Sequence, residues 1–88
     1  MRPNPDWMTM TDVVILEFLQ DHDLELTPKS LYRNLTRYGY DIGYSTVRGR
    51  VRELEKWGLL EKDGDGYYEL SDRGRSYLDG EIDQDELE

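Results

Sequence analysis

Two amphipathic stretches of about a dozen residues follow one another in this chain, each opened by a capping residue and closed by a glycine. Thr27-Pro28 opens the first. A threonine hydroxyl accepts from amides left unpaired at a helix start, and proline at the first helical position gives up an amide that has no partner there. Leu31 and Leu35 then share one face, Lys29 and Arg33 another, and Gly39 supplies the left-handed residue that stops the helix. After the turn Tyr40-Asp41-Ile42-Gly43-Tyr44, Ser45 is expected to cap a second such helix over residues 45–57. In it Val47, Val51 and Leu54 form a narrow apolar stripe. Gly58 fits the position just past its end, which brings Leu59 back onto Leu54.

The flanking segments are also well marked. Thr9 with Asp12 three residues on is a capping-box pattern, and Met8 and Val13 are spaced as a hydrophobic staple, so a helix starts near Met10. Val13, Val14, Ile15, Leu16, Phe18 and Leu19 make it apolar around much of its girth, which predicts a deep position, and it ends in Asp21-His22-Asp23. Leu24 to Leu26 reads as a minimal strand. Leu59 to Asp63 and Tyr67 to Leu70 flank Gly64-Asp65-Gly66, the pattern of a hairpin in which one of Tyr67 and Tyr68 faces in and the other out. Ser71 caps a fourth helix bearing Tyr77 and Leu78, and beyond Gly80 the acidic run is expected to be a frayed tail. The expected order is α-β-α-α-β-β-α, mainly α with a small hairpin, divided into an arm (1–8), a domain (9–80) and an acidic tail (81–88).

Composition excludes several kinds of chemistry. Eighty-eight residues make one modest domain. There are no cysteines and a single histidine, His22, so no metal or cofactor is expected. No apolar run reaches membrane-spanning length and no signal-peptide pattern opens the chain, so a soluble, cytoplasmic protein is expected. Nucleophile elbow, phosphate loop and paired cleft carboxylates are all missing, which argues against an enzyme. The net charge of −9 is unevenly spread. Residues 1–28 carry one basic and six acidic side chains, and residues 63–88 carry two and ten. Residues 29–62 carry eight cations against four carboxylates, a net of +4. A basic middle inside an acidic shell is the asymmetry that a nucleic-acid face leaves. With 11 Asp and 9 Glu, and eight Arg to three Lys, the balance resembles that of proteins from salt-loving archaea.

Ser45-Thr46-Val47 opening a basic helix, then Gly58-Leu59-Leu60, then the run Gly66-Tyr67-Tyr68-Glu69-Leu70-Ser71-Asp72-Arg73-Gly74, together resemble archaeal winged helix-turn-helix transcriptional regulators. The close Tyr77-Leu78-Asp79-Gly80-Glu81 is similar to that of a haloarchaeal group related to a phage repressor. The resemblance covers residues 8–82 and implies a winged helix-turn-helix fold whose third helix enters the major groove of DNA. With Val47, Val51 and Leu54 turned inward, Ser45, Gly49, Arg52, Glu53 and Lys56 face out, flanked by Thr46 and Arg48.

Recognition helices read base edges mostly from their N-terminal part, which makes Tyr44, Ser45, Thr46, Arg48, Gly49 and Arg52 the candidate groove residues. Arginine can bridge guanine O6 and N7 with two parallel bonds, so Arg48 and Arg52 lead. The bland alternative is a solvated face pairing with Glu53 or Glu55. Gly49 reads either as room for close approach of a ligand or as relief of a clash with the preceding helix. Arg50, nearer the apolar stripe, suits a phosphate contact or an intramolecular pair with an acid. Lys29, Arg33 and Lys62 are candidate phosphate contacts, while the acidic tip Asp63-Gly64-Asp65-Gly66 argues against a DNA-reading wing.

The expected activity is sequence-specific binding of double-stranded DNA in transcriptional regulation. A homodimer presenting two recognition helices about 34 Å apart is also expected. Trp7, Met8 and Met10 are available either to a second copy or to the chain's own core. The rival reading is a protein-interaction module of the same fold in a transcription or replication assembly, which the overall acidity favours.

Overall fold

The computed structural model describes residues 4–82 and 84–87. Of the expected arm and tail, residues 1–3, 83 and 88 lie outside that range. Three helices come first: α1 (Met10–His22), α2 (Pro28–Arg37) and α3 (Tyr44–Lys56). Strands β1 (Leu60–Lys62) and β2 (Tyr68–Leu70), helix α4 (Asp72–Leu78) and a 3₁₀ turn (Gln84–Leu87) follow. No helix among the described residues is long and apolar enough to cross a membrane.

The helix boundaries follow from local chemistry. The α1 capping box forms in both directions, with the Asp12 amide donating to Thr9 Oγ1 at 3.3 Å and the Thr9 amide donating to Asp12 Oδ2 at 2.8 Å. Thr27 Oγ1 caps α2 by accepting from the Ser30 amide at 3.1 Å, with Pro28 in the first turn. Gly39 and Gly58, at φ +95° and +80°, close α2 and α3 with matched pairs of reverse hydrogen bonds. In α3 these run from Gly58 N–H to the Glu55 carbonyl at 2.9 Å and from Leu59 N–H to the Leu54 carbonyl at 3.0 Å. Leu54 and Leu59 are both fully buried, as this ending requires.

The strands pair antiparallel with Leu60 opposite Leu70, Glu61 opposite Glu69 and Lys62 opposite Tyr68. The expected strand at Leu24 to Leu26 is reduced to one bridge, in which Leu26 and Tyr68 exchange amide–carbonyl bonds of 2.9 and 2.8 Å. Tyr68 is buried and Tyr67 exposed, so the hairpin splits its tyrosines between its two faces. Asp63 shapes the tip. Its Oδ1 accepts from the amides of Asp65 and Tyr67 at 2.9 and 3.0 Å, so this carboxylate serves the turn itself.

The core gathers Ile15, Leu16 and Leu19 from α1, Leu31 and Leu35 from α2, and Val47, Val51 and Leu54 from α3. Leu59, Leu60, Tyr68 and Leu70 enter from the hairpin and Tyr77 from α4. Burying each large aliphatic side chain is worth roughly 1.5–3 kcal/mol. The acidic tail departs from expectation. Residues 84–87 are packed rather than frayed: Leu87 is fully buried, its carbonyl accepts from Trp7 Nε1 at 2.6 Å, and the Glu86 carbonyl accepts from Arg73 at 3.0 Å. One leucine in a charged run suffices to seat the segment, because Asp85 and Glu86 remain exposed. Trp7 also stacks on Trp57, centroids 5.1 Å apart and rings within 5° of parallel, so this tryptophan packs on its own chain.

Ser71 ties the ends of α3 and α4 together. Its hydroxyl donates to the Gly58 carbonyl at 2.6 Å and accepts from the Gly74 amide at 2.9 Å. This brings Gly74 so near the base of the hairpin that an added Cβ would lie 2.3 Å from the Leu59 carbonyl oxygen and 2.7 Å from Leu70 Cδ1. Gly74→Ala is therefore expected to destabilise the fold by about 1–3 kcal/mol through overpacking, despite alanine's better helix propensity. Thermal unfolding followed by circular dichroism measures this; an unchanged or raised Tm would mean that α4 is not held against β1 in this way.

Candidate nucleic-acid interface

Helix α3 fixes the geometry of this surface. Val47, Val51 and Leu54 are each 0% exposed, so the stripe predicted to face the interior does so. On the opposite side Ser45, Thr46, Arg48, Gly49, Arg52 and Lys56 are all exposed, and Tyr44 is half-buried. Glu53 and Glu55 form no ion pair with Arg48 or Arg52 among the described residues. Glu53 instead accepts from Trp57 Nε1 at 3.2 Å. Both arginines therefore present their forks outward from a rigid helix. A Cβ placed on Gly49 would meet nothing within 4 Å, so relief of a clash with α2 does not account for this glycine.

The expectation that Ser45 caps α3 needs correction. The helix begins at Tyr44 with Gly43 as the N-cap and no side-chain capping bond, and it ends at Lys56 rather than residue 57. Tyr44, the first residue of the helix, has its ring engaged by two residues of α2. It meets Tyr32 edge-on at 5.9 Å between centroids, and the Lys29 ammonium lies 4.9 Å from its ring centre. Lys29 lies in the first turn of α2, so this cation–π contact joins the starts of α2 and α3. The Tyr32–Tyr44–Lys29 cluster carried no periodic signal in the sequence. Arg33 is exposed one turn further along α2. Lys62 is exposed on β1 with its ammonium 6.0 Å from the Tyr68 ring centre.

Arg50 differs in kind from its neighbours. Its Nε and Nη2 donate to the two oxygens of Asp12 at 2.8 and 2.7 Å, and Nη2 also reaches the Trp7 carbonyl at 3.4 Å. Asp12 is completely buried and the Arg50 side chain is only 25% exposed. Hydrogen bonding to Asp12 holds the guanidinium above its ordinary pKa, and partial burial opposes that. Of the two roles open to Arg50 in the sequence, the intramolecular pair is the one formed. Asp12 was legible as a capping residue, but not as an ion-pair partner 38 positions away.

A two-stranded hairpin thus follows a helix-turn-helix whose α3 carries its polar face outward. The sequence matches the family model described as the winged helix-turn-helix phage repressor over residues 1–88. The chain belongs to this family. It is 38% identical to the repressor protein of Halobacterium phage phiH over 94 aligned positions, spanning 100% of this chain and 98% of that protein. The crystal structure of the PhiH1 repressor-like protein from Haloarcula marismortui superposes with a TM-score of 0.82 at 33% identity, covering 96% of this chain and 91% of the other. The family is regulatory rather than enzymatic. In this member no group of three or more His, Cys, Asp or Glu among the described residues is placed to hold a metal ion.

The contrast between paired and solvent-facing arginines is measurable. Arg50→Ala strands a buried carboxylate and is expected to cost about 3 kcal/mol. Arg48→Ala and Arg52→Ala are expected to stay within about 0.5 kcal/mol of the parent protein. Chemical denaturation of the three variants decides the matter, and equal losses would show that α3 is not oriented as described.

Proposed function

We propose that this protein is a sequence-specific regulator of transcription that binds double-stranded DNA with α3 in the major groove. The observation that carries the reading is the complete burial of Val47, Val51 and Leu54, which leaves Arg48 and Arg52 outward and without intramolecular ion pairs among the described residues. Ser45, Thr46 and Tyr44 border the same end of the helix, where base edges are read. Arg48 and Arg52 supply bidentate contacts to guanine, and Gly49 between them lets the helix backbone approach the base pairs closely. Lys29, Arg33, Lys56 and Lys62 neutralise phosphates, with Lys29 held in place over Tyr44. The similarity to a phage phiH protein that is itself a repressor supports repression as the sign of regulation.

Electrostatics constrains how affinity arises. If about five phosphates are engaged, binding loses four to five powers of ten for each tenfold rise in salt. With a net charge of −9, base-edge hydrogen bonds and the pairing of two protomers must supply much of the binding. Two copies related by a twofold axis, their α3 helices about 34 Å apart, double the number of bases read.

Arg52→Ala is expected to weaken binding to the cognate duplex by about 1–3 kcal/mol and to relax preference at one base pair. Lys29→Ala is expected to weaken cognate and scrambled duplexes alike and to reduce the salt slope by about one. Fluorescence anisotropy on both duplexes over a potassium chloride series tests both. Absence of duplex binding at every salt concentration would favour the protein-interaction module instead. Gly49→Ala separates fold from function: it is expected to raise stability by up to about 1 kcal/mol while lowering DNA affinity. Unchanged affinity in that variant would remove the close-approach role.

A further inference from the structure

Helix α2 carries more positive charge than the contacts assigned to it use. Between Glu25 and Asp41 the chain has no carboxylate, in a protein with 20 acidic residues, and within that gap stand Lys29, Arg33 and Arg37. Spaced four apart, they fall on one side of the helix, opposite the buried Leu31 and Leu35, and all three are exposed. None of them forms an ion pair among the described residues, where the cations held by carboxylates are Arg50 and Arg75. Asn34 and Thr36 are by contrast turned back onto the helix: Asn34 Nδ2 donates to the Ser30 carbonyl at 2.8 Å and Thr36 Oγ1 to the Tyr32 carbonyl at 3.0 Å. Tyr32, Arg33, Thr36 and Arg37 border an open hollow of about 450 Å³ on this surface.

Helix stability does not account for the stripe. Like charges four residues apart repel, and a cation in the first turn, where Lys29 stands, opposes the helix dipole. Only Arg37, in the last turn, is placed to favour that dipole. We propose that Arg37 is a further phosphate-binding residue and that α2 lies along the duplex backbone for its full length, an inference that rests on the DNA-binding reading above. Lys29 marks the near end, because its contact with Tyr44 ties it to the start of α3. Arg37 stands about 12 Å further along the helix, at a rise of 1.5 Å per residue. One DNA strand carries a phosphate for about every 3.4 Å of axis, so the stripe spans roughly three to four phosphates and carries the footprint past the bases that α3 reads. An evenly spaced row of cations matches a polymer of evenly spaced anions better than it matches scattered carboxylates on a protein surface. The hollow beside Arg33 and Arg37 is open, as contact with an extended strand requires.

Fluorescence anisotropy of the full chain over a potassium chloride series tests the placement, with a long duplex and one shortened to the bases that α3 reads. On the long duplex Arg37→Ala is expected to lower the slope of log affinity against log salt by about 0.9, an affinity loss of about eight-fold at 0.1 M that vanishes toward 1 M. Arg37→Lys keeps the charge and is expected to keep the slope. On the short duplex Arg37→Ala and the parent protein are expected to bind alike, whereas Lys29→Ala weakens binding to both lengths. Circular dichroism of each variant confirms that an exposed substitution leaves the fold intact. An unchanged slope for Arg37→Ala on the long duplex overturns this inference alone and leaves the stripe to an acidic protein surface, and an equal loss on both lengths overturns the lengthwise placement of α2. A parent protein that binds neither duplex at any salt overturns the DNA-binding reading, and this inference with it.

Discussion

The burial of Val47, Val51 and Leu54 is the constraint on which the rest of the surface depends. These residues occupy helical positions i, i+4 and i+7, so together they fix the rotation of α3 about its own axis. Turning the helix by one residue, about 100°, would bring a charged neighbour such as Arg48 or Arg52 into a core that offers it no partner. The outward arginines are therefore a consequence of packing by valine and leucine. The glycine ending at Gly58 extends the effect, because it returns Leu59 onto Leu54 and launches β1 from a fixed point.

A single buried acid coordinates three parts of the chain around that helix. Asp12 caps α1 through Thr9 and receives both donors of Arg50 from α3, while Arg50 also reaches the backbone of the N-terminal arm at Trp7. A buried carboxylate is costly by itself, and here both oxygens are satisfied by hydrogen bonds. The pair also divides labour among neighbouring arginines. Arg50 is committed to the fold, whereas Arg48 and Arg52 stay exposed on the surface of α3. Trp7 stacks on Trp57 and donates to the Leu87 carbonyl, which brings Trp7 and Leu87 together at the C-terminal end of α3.

Charge is arranged by depth and by face. Acidic side chains concentrate in the flanking thirds, while exposed cations line α3 and the first half of α2. Glu61 and Glu69 sit directly opposite one another in the hairpin, an arrangement that screening by salt relieves. Asp63 at the wing tip is explained by the turn it stabilises, so its presence says little about whether the wing approaches phosphate.

Much of this was legible from the order of residues, and the reason is locality. The capping box at Thr9, the proline start at Pro28, the glycine stops at Gly39 and Gly58 and the alternation of Tyr67 and Tyr68 are interactions within about five residues, so the sequence states them directly. The apolar stripe of α3 likewise follows from helical period alone, and with it the outward direction of the candidate DNA-binding residues. The remaining contacts join partners distant in sequence: Arg50 with Asp12, Trp7 with Trp57 and Leu87, Gly74 against the Leu59 carbonyl, and Lys29 over Tyr44. The start of α3 at Tyr44 rather than after a Ser45 cap belongs to the same group, since Tyr44 carries ring contacts from α2 that no local pattern states. Local hydrogen-bonding and periodicity rules carry no information about which distant side chains the packed core will bring together, and those pairings determine which charges are spent inside the molecule and which remain outside.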